Sequence, residues 1–236
     1  ATLRVAVTAD LGGVLVSQSV RRAFEARVQR ISRLVRACEW HPIDLRAAPT
    51  VDWHLRQDLF VGQYAAAAST WDANFNPNVR ATYESALRTS MADIALARRT
   101  QMELYQAFAA IFDTFDLLIC PGVSIAPFPW RDLNPLAIDG RAVENYMEWL
   151  QLTSSITVVG HPVAALPCGL DETGMPFGVQ VIGAMFGDRE LLNAAAGLER
   201  AFADDPIMVR PEPDFAALQA TQSDCRTLGR TVQNRA

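Results

Sequence analysis

A chain of 236 residues, half of them apolar and a fifth charged, carries enough material for one large domain, or two small ones, around a sizeable core. No run approaches the ~18 apolar residues of a membrane span, and a formal charge of −5 argues against a nucleic-acid partner, which wants a basic face. All 21 basic residues are arginines, and the chain contains no lysine.

In chain order, residues 3–8 predict a first strand, 10–13 a turn, and Ser17 an N-cap. Val20, Phe24, Val28, Ile31, Val35 and Cys38 then recur at three- and four-residue steps, the pattern of one amphipathic helix laid on a core. The charged stripe beside them, Arg21, Arg22, Arg27, Arg30, Arg33 and Arg36, reads as a solvated helix face rather than a basic binding patch. Residues 43–45 suggest a short strand and 51–68 a helix. Residues 70–78, with a proline and three asparagines, form a loop. One or two further helices fill 79–115, with Ile94, Leu104, Phe108, Ile111 and Phe115 inward. The strand at 116–120 is cut off by Pro121, and its lack of alternation implies burial on both faces of a parallel or mixed sheet.

Residues 122–141 make a long Pro-rich loop, and with Phe128, Trp130 and Leu136 in it the loop is expected to pack along a pocket. A helix over 143–155 follows. The tightest punctuation by Gly and Pro then falls at 160–183, GHPVAALPCGLDETGMPFGVQVIG. The short apolar run 163–166, ended by Pro167, fits a buried strand, and 177–182 a second one with a single polar interruption at Gln180. Between them Asp171 can bond the backbone two residues on and Gly174 can take positive φ, so the pair reads as a hairpin with a longer loop. Pro162, Pro167 and Pro176 fall at strand ends, where a missing N–H is tolerated. A helix at 189–202 and a polar tail complete the chain. The expected class is α/β, a mixed β-sheet flanked by helices, as one domain over 1–210 with a frayed tail over 211–236.

Four cysteines, Cys38, Cys120, Cys168 and Cys225, lie far apart without a CxxC pair, and three histidines, His41, His54 and His161, lack a metal-binding spacing. A reduced, cytoplasmic protein without metal or cofactor is expected. The opening ATLRVAVTAD reads as a strand entering the core with no initiator Met before it, which raises the expectation of further residues upstream.

The tract from Gln151 to Gly183 resembles the C-terminal signature region of the amidase signature family. There a helix opening with Thr leads to Gly-x-Pro, a strand ending Pro-x-Gly, a turn, then Pro-x-Gly-x-Gln and a closing Gly. Thr153, Gly160, Pro162, Pro167, Gly169, Pro176, Gly178, Gln180 and Gly183 occupy those places. DLLICP at 116–121 and RVAVTADLGGVLV at 4–16 resemble the flanking elements, so the likeness runs from residue 1 to about 205. Two departures, Thr157 where many members carry Asn and Val159 where many carry Thr, alter pocket polarity.

The resemblance implies an α/β/α fold and hydrolysis of a carboxamide C–N bond by a Ser–Ser–Lys triad set in a Gly/Ser-rich tract. The buried neutral Lys serves as ultimate base, a role that Arg, with a pKa above ~12, cannot fill. This chain has neither the tract nor a Lys, and its one Ser pair, Ser154–Ser155, lacks flanking glycines and falls in a predicted helix. The chain therefore reads as the C-terminal portion of such an enzyme, inactive by itself, with Pro121, Thr153, Ile156 and Thr157 lining the substrate cleft. Three alternatives stay open: a naturally separate binding or assembly module that pairs with a catalytic amidase-like partner, an unrelated α/β ligand-binding domain, and a hydrolase built on Cys168 and His161. Partners expected are a small-molecule amide, with no membrane or nucleic acid, and either a second copy or the missing catalytic half. Self-association would be favoured by an unpaired first strand.

Overall fold

The computed structural model describes residues 2–71, 76–129, 131–132 and 134–220. β1 (Arg4–Val7) enters the core and passes through the turn at 10–13 to α1 (Gln18–Ile31) and β2 (Ala37–Trp40). A helical excursion follows: α2 (Ala48–Tyr64), α3 (Pro77–Ala86) and α4 (Met91–Ala109). The chain returns through β3 (Leu117–Pro121), a small ladder of β4 (Ala137–Ile138) and β5 (Arg141–Ala142), and α5 (Gln151–Val159). The hairpin β6 (Val163–Leu170) and β7 (Pro176–Ile182) leads to α6 (Asp188–Ala203) and α7 (Phe215–Ala220). No helix among the described residues is long and apolar enough to cross a membrane.

The large sheet has the order β2-β1-β3-β7-β6. β1 runs parallel to both β2 and β3, and β7 is antiparallel to β3 and β6. The mixed α/β sheet expected from the sequence is present. All five residues of β3 are buried, as continuous apolar character in a twice-covered strand requires. α1 packs on β3, α6 on β6 and β7, while α2, α4 and α5 pack on one another.

Local chemistry sets most boundaries. The Ser17 hydroxyl accepts from the Val20 N–H at 3.4 Å and starts α1. Ser90 and Asp93 form a reciprocal capping box that starts α4. Gly160, in the left-handed region at φ +72°, ends α5. In the hairpin loop the Asp171 carboxylate accepts from the Thr173 N–H at 2.8 Å, and Gly174 takes φ +83°.

Tertiary contacts moved several elements. The stripe from Val20 to Cys38 is not one helix: α1 stops at Ile31 and Cys38 lies on β2. The Arg36 and Ala37 N–H groups donate to the Leu3 carbonyl, so parallel pairing with β1 captures the segment. Residues 43–45 form no strand; the Leu45 N–H donates to Leu11 O at 2.9 Å, docking the segment on the turn. Gly12 permits that approach, since a Cβ there would meet Ile43 O at 1.9 Å. The helix expected at 143–155 begins only at Gln151, because Asn145 and Glu148 side chains accept from the Met147 and Glu144 N–H groups and hold a turn instead. β6 continues through Pro167 to Leu170, its register shifting between those two residues. Proline is tolerated there because β6 pairs on one side only. β1, expected to be an unpaired edge, lies between two strands; the sheet edges are β2 and β6.

The arginine stripe is less solvated than its pattern suggests. Arg27 is 5% exposed, its guanidinium donating to the Ala23, Cys168 and Leu170 carbonyls and lying 5.3 Å from the Phe177 ring centroid. Arg22 pairs with Glu172 at 2.6 Å and Arg30 with Asp205 at 2.6 Å. The helix face is a clamp on the hairpin and on the segment after α6. Of the expected tail, 221–236 lies outside the described residues.

Candidate functional site

Where β3 ends, the chain leaves the sheet as the 122–142 loop and passes over the hairpin. The Gly122 N–H donates to the Gly178 carbonyl at 2.8 Å. A Cβ at Gly122 would meet that carbonyl oxygen at 2.9 Å, and one at Gly178 would meet Leu166 O at 3.1 Å. Two glycines thus let β6, β7 and the loop approach backbone to backbone. Between loop and hairpin lies a cavity of about 610 Å³, bordered by Val123, Phe128, Trp149, Ala165, Phe177 and Val179 among others, none of its lining residues charged. Phe128 and Trp149 meet edge to face, their centroids 5.3 Å apart at 85°.

Gln180, the polar interruption of β7, is 6% exposed. Its amide nitrogen donates to the Pro121 carbonyl at 3.1 Å and to Cys120 Sγ at 3.5 Å. The side chain ties the end of β3 to β7 beneath the cavity and satisfies groups that burial would otherwise leave unpaired.

The four residues expected to line a cleft occupy three environments. Pro121 is buried at the end of β3, directly before Gly122 of the cavity lining. Thr153, Ile156 and Thr157 share α5. Thr153 is half-buried and its hydroxyl donates to Leu150 O at 2.8 Å, while Ile156 is core. Thr157 is exposed and borders a different concavity of about 430 Å³, with Leu55, Arg56 and Leu59 of α2. Thr153, Ile156 and Thr157 stand three and four residues apart on one helix, but they do not share one environment: the boundary between core and solvent runs between Ile156 and Thr157. None of the four is among the residues bordering the 610 Å³ cavity.

The loop does border a pocket, through Phe128. Leu136 stands 85% exposed, and Trp130 lies outside the described residues. The sequence reading missed Trp149, which sits just ahead of α5 in a short helical turn. An aromatic beside a helix start is a weak signal, and its partner Phe128 is far away in the chain.

The alternative nucleophiles are badly placed. Ser154 and Ser155 are buried inside α5, and neither hydroxyl has a hydrogen-bond partner among the described residues. Burial in β6 pushes the Cys168 thiol up to about 12, against the smaller opposing pull of Arg27, so almost no thiolate exists near neutral pH. His161 does not activate it. Its Nδ1 is bonded to Val159 O at 3.0 Å, and its Nε2 has no hydrogen-bond partner among the described residues. The ring is stacked on Phe112 with centroids 5.2 Å apart, and Tyr105 and Phe108 also pack against it.

The family profile for Amidase matches residues 1–192. Among curated proteins, the chain is 28% identical over 149 residues to a glutamyl-tRNA(Gln) amidotransferase subunit of Prochlorococcus marinus strain MIT 9211, which is 62% of this chain and 25% of that protein. The corresponding protein of Roseobacter denitrificans is 28% identical over 148 residues, again 62% of this chain and 25% of that protein. Among solved structures, a bacterial aryl acylamidase superposes with TM-score 0.72 at 19% identity, covering 85% of this chain and 44% of that one. A structure described as an amidase gives TM-score 0.74 at 22% identity, with 85% and 46% coverage. The chain thus spans about a quarter of those curated relatives and under half of those solved folds. A profile running over residues 1–192 of a 236-residue chain, on a sheet shared with solved amidases, shows that this chain belongs to the amidase signature family.

Proposed function

We propose that this chain supplies the scaffold and one wall of the substrate cleft of an amidase hydrolysing a carboxamide C–N bond, with the Ser–Ser–Lys triad lying outside these residues. The observation that carries the reading is an amidase-family fold without a single lysine. No other side chain combines a protonated amine with a pKa that burial can bring down to neutrality. The loop–hairpin cavity is the wall assigned to substrate. Of the residues expected to line the cleft, Pro121 directly precedes Gly122 of that wall, whereas Thr153, Ile156 and Thr157 lie on α5, outside its lining.

The test is a hydrolysis assay of the purified chain, free of host amidase, against a panel of linear amides. No turnover is expected. Turnover surviving the double change Ser154→Ala and Ser155→Ala would reveal another nucleophile and sink the reading. A second reading is that the chain is a separate module that docks on a catalytic amidase-like partner. A start codon immediately upstream of Ala1 in the reading frame supports the module; a fused Gly/Ser-rich, Lys-containing stretch supports the single enzyme. In the isolated chain the one-sided edge of β6 and its exposed Val163 favour association with a second chain. Light scattering over a concentration series is expected to show species larger than the 25.9 kDa chain, and a clean monomer counts against it.

A further inference from the structure

We infer that the loop–hairpin cavity seats the uncharged, apolar part of the substrate, an aryl or branched-alkyl group of a neutral carboxamide, and rejects amides whose substituent carries a charge. This rests on the cleft-wall reading and narrows it to a substrate class.

Size and chemistry agree. A volume of about 610 Å³ sits within the roughly 300–1,000 Å³ of small-molecule sites. The Phe128–Trp149 edge-to-face pair leaves aromatic faces and edges against which a third ring can pack.

Charge is what the cavity cannot accommodate. None of its lining residues is charged, and two charged side chains that adjoin lining residues are already engaged. Glu148, beside Trp149, is 7% exposed and accepts from the Glu144 N–H. Arg27, over the Phe177 ring, directs its guanidinium to three backbone carbonyls. A substrate carboxylate or ammonium placed against this wall would lose water and meet no charged side chain among the lining residues, which is strongly unfavourable.

Ligand-observed NMR titration of the purified chain at neutral pH with phenylacetamide, phenylacetate and glutamine tests this. Phenylacetamide is expected to bind at least ~10-fold more tightly than either charged compound. Ala165 is exposed on the cavity wall, so Ala165→Asp puts a carboxylate in the site without touching the core. It is expected to weaken phenylacetamide by a similar factor while the thermal melt stays unchanged. If glutamine or phenylacetate binds within about 3-fold of phenylacetamide, and does so in an Ala165→Asp-sensitive way, the charge exclusion is overturned while the cleft-wall reading stands. If no amide binds, or Ala165→Asp has no effect on binding, both fall. The titration of the unaltered chain decides the selectivity even if the variant folds poorly.

Discussion

In the middle of the sheet, β1 and β3 are sealed: Val5, Ala6 and Val7 and every residue of β3 are buried, and each strand has a neighbour on both sides. At the hairpin end, β6 exposes Val163, Ala165 and Leu170, pairs on one side only, and carries its Gly and Pro residues inside the strand. The centre is specified by apolar volume. The edge is specified by backbone conformation and by a few polar clamps, because an open strand cannot be held by burial alone. The same edge carries the candidate cleft, so the part of the sheet least protected by packing is the part proposed to meet substrate.

Gly169 gives the sharpest way to break that contrast. It takes φ +80° within β6, and a Cβ there would meet Ile207 O at 1.8 Å. Gly169→Val is expected to cost about 3–5 kcal/mol by combining left-handed strain with a backbone clash, measured as a fall in the urea midpoint. A loss below about 1 kcal/mol would mean that the edge tolerates ordinary residues after all.

Arg27 comes next. Replacing it by Met keeps much of the buried stem but leaves the Cys168 and Leu170 carbonyls without their guanidinium donor. A destabilisation of about 2–3 kcal/mol is expected, with faster amide exchange in β6 than in β3. Equal acceleration in both strands would show that the clamp serves the whole sheet rather than its edge.

A third prediction concerns pH and the junction between α5 and β6. Burial holds the His161 imidazole below its ordinary 6.5, outweighing the opposing pull of the Val159 carbonyl. The unfolded chain therefore takes up a proton that the folded chain resists. Stability is complete above the ordinary value, declines as pH falls below it, and levels off beneath the folded-state pKa. His161→Phe should remove that acid-side decline in melting temperature; an unchanged slope would place it elsewhere.

The smallest effect is expected at α5 itself. Ser154 and Ser155 hydroxyls are buried without partners among the described residues, so Ser154→Ala with Ser155→Ala should shift stability by about 1 kcal/mol or less, in either direction. A large loss in a calorimetric melt would reveal hydrogen bonds that the folded chain makes through these hydroxyls.

Much of this fold was legible beforehand because its signals are local. The Ser17 cap, the apolar run of β3 and the Asp171–Gly174 turn each act within a few residues, and each was found where the pattern put it. The errors fell where distant segments decided. A helical repeat through Val35 and Cys38 lost to pairing with β1, and the supposedly solvated Arg27 was pulled inward by carbonyls more than 140 residues away. The candidate site was only half visible: loop and hairpin announced themselves through Gly and Pro, but Trp149 and the uncharged lining did not.

By itself, then, the amino-acid order determined the α/β class, the hairpin, the family likeness, and the absence of any lysine base. These depend on residue identity, periodicity and backbone preference, which are properties of short stretches. Tertiary structure alone decided that β1 is central and β6 an edge, and that α1 clamps the hairpin. It also decided that Pro121 and Thr157 face different spaces. Strand order, burial and cavity shape arise from contacts between residues far apart in the chain, and no short-range pattern encodes which of the compatible partners will meet.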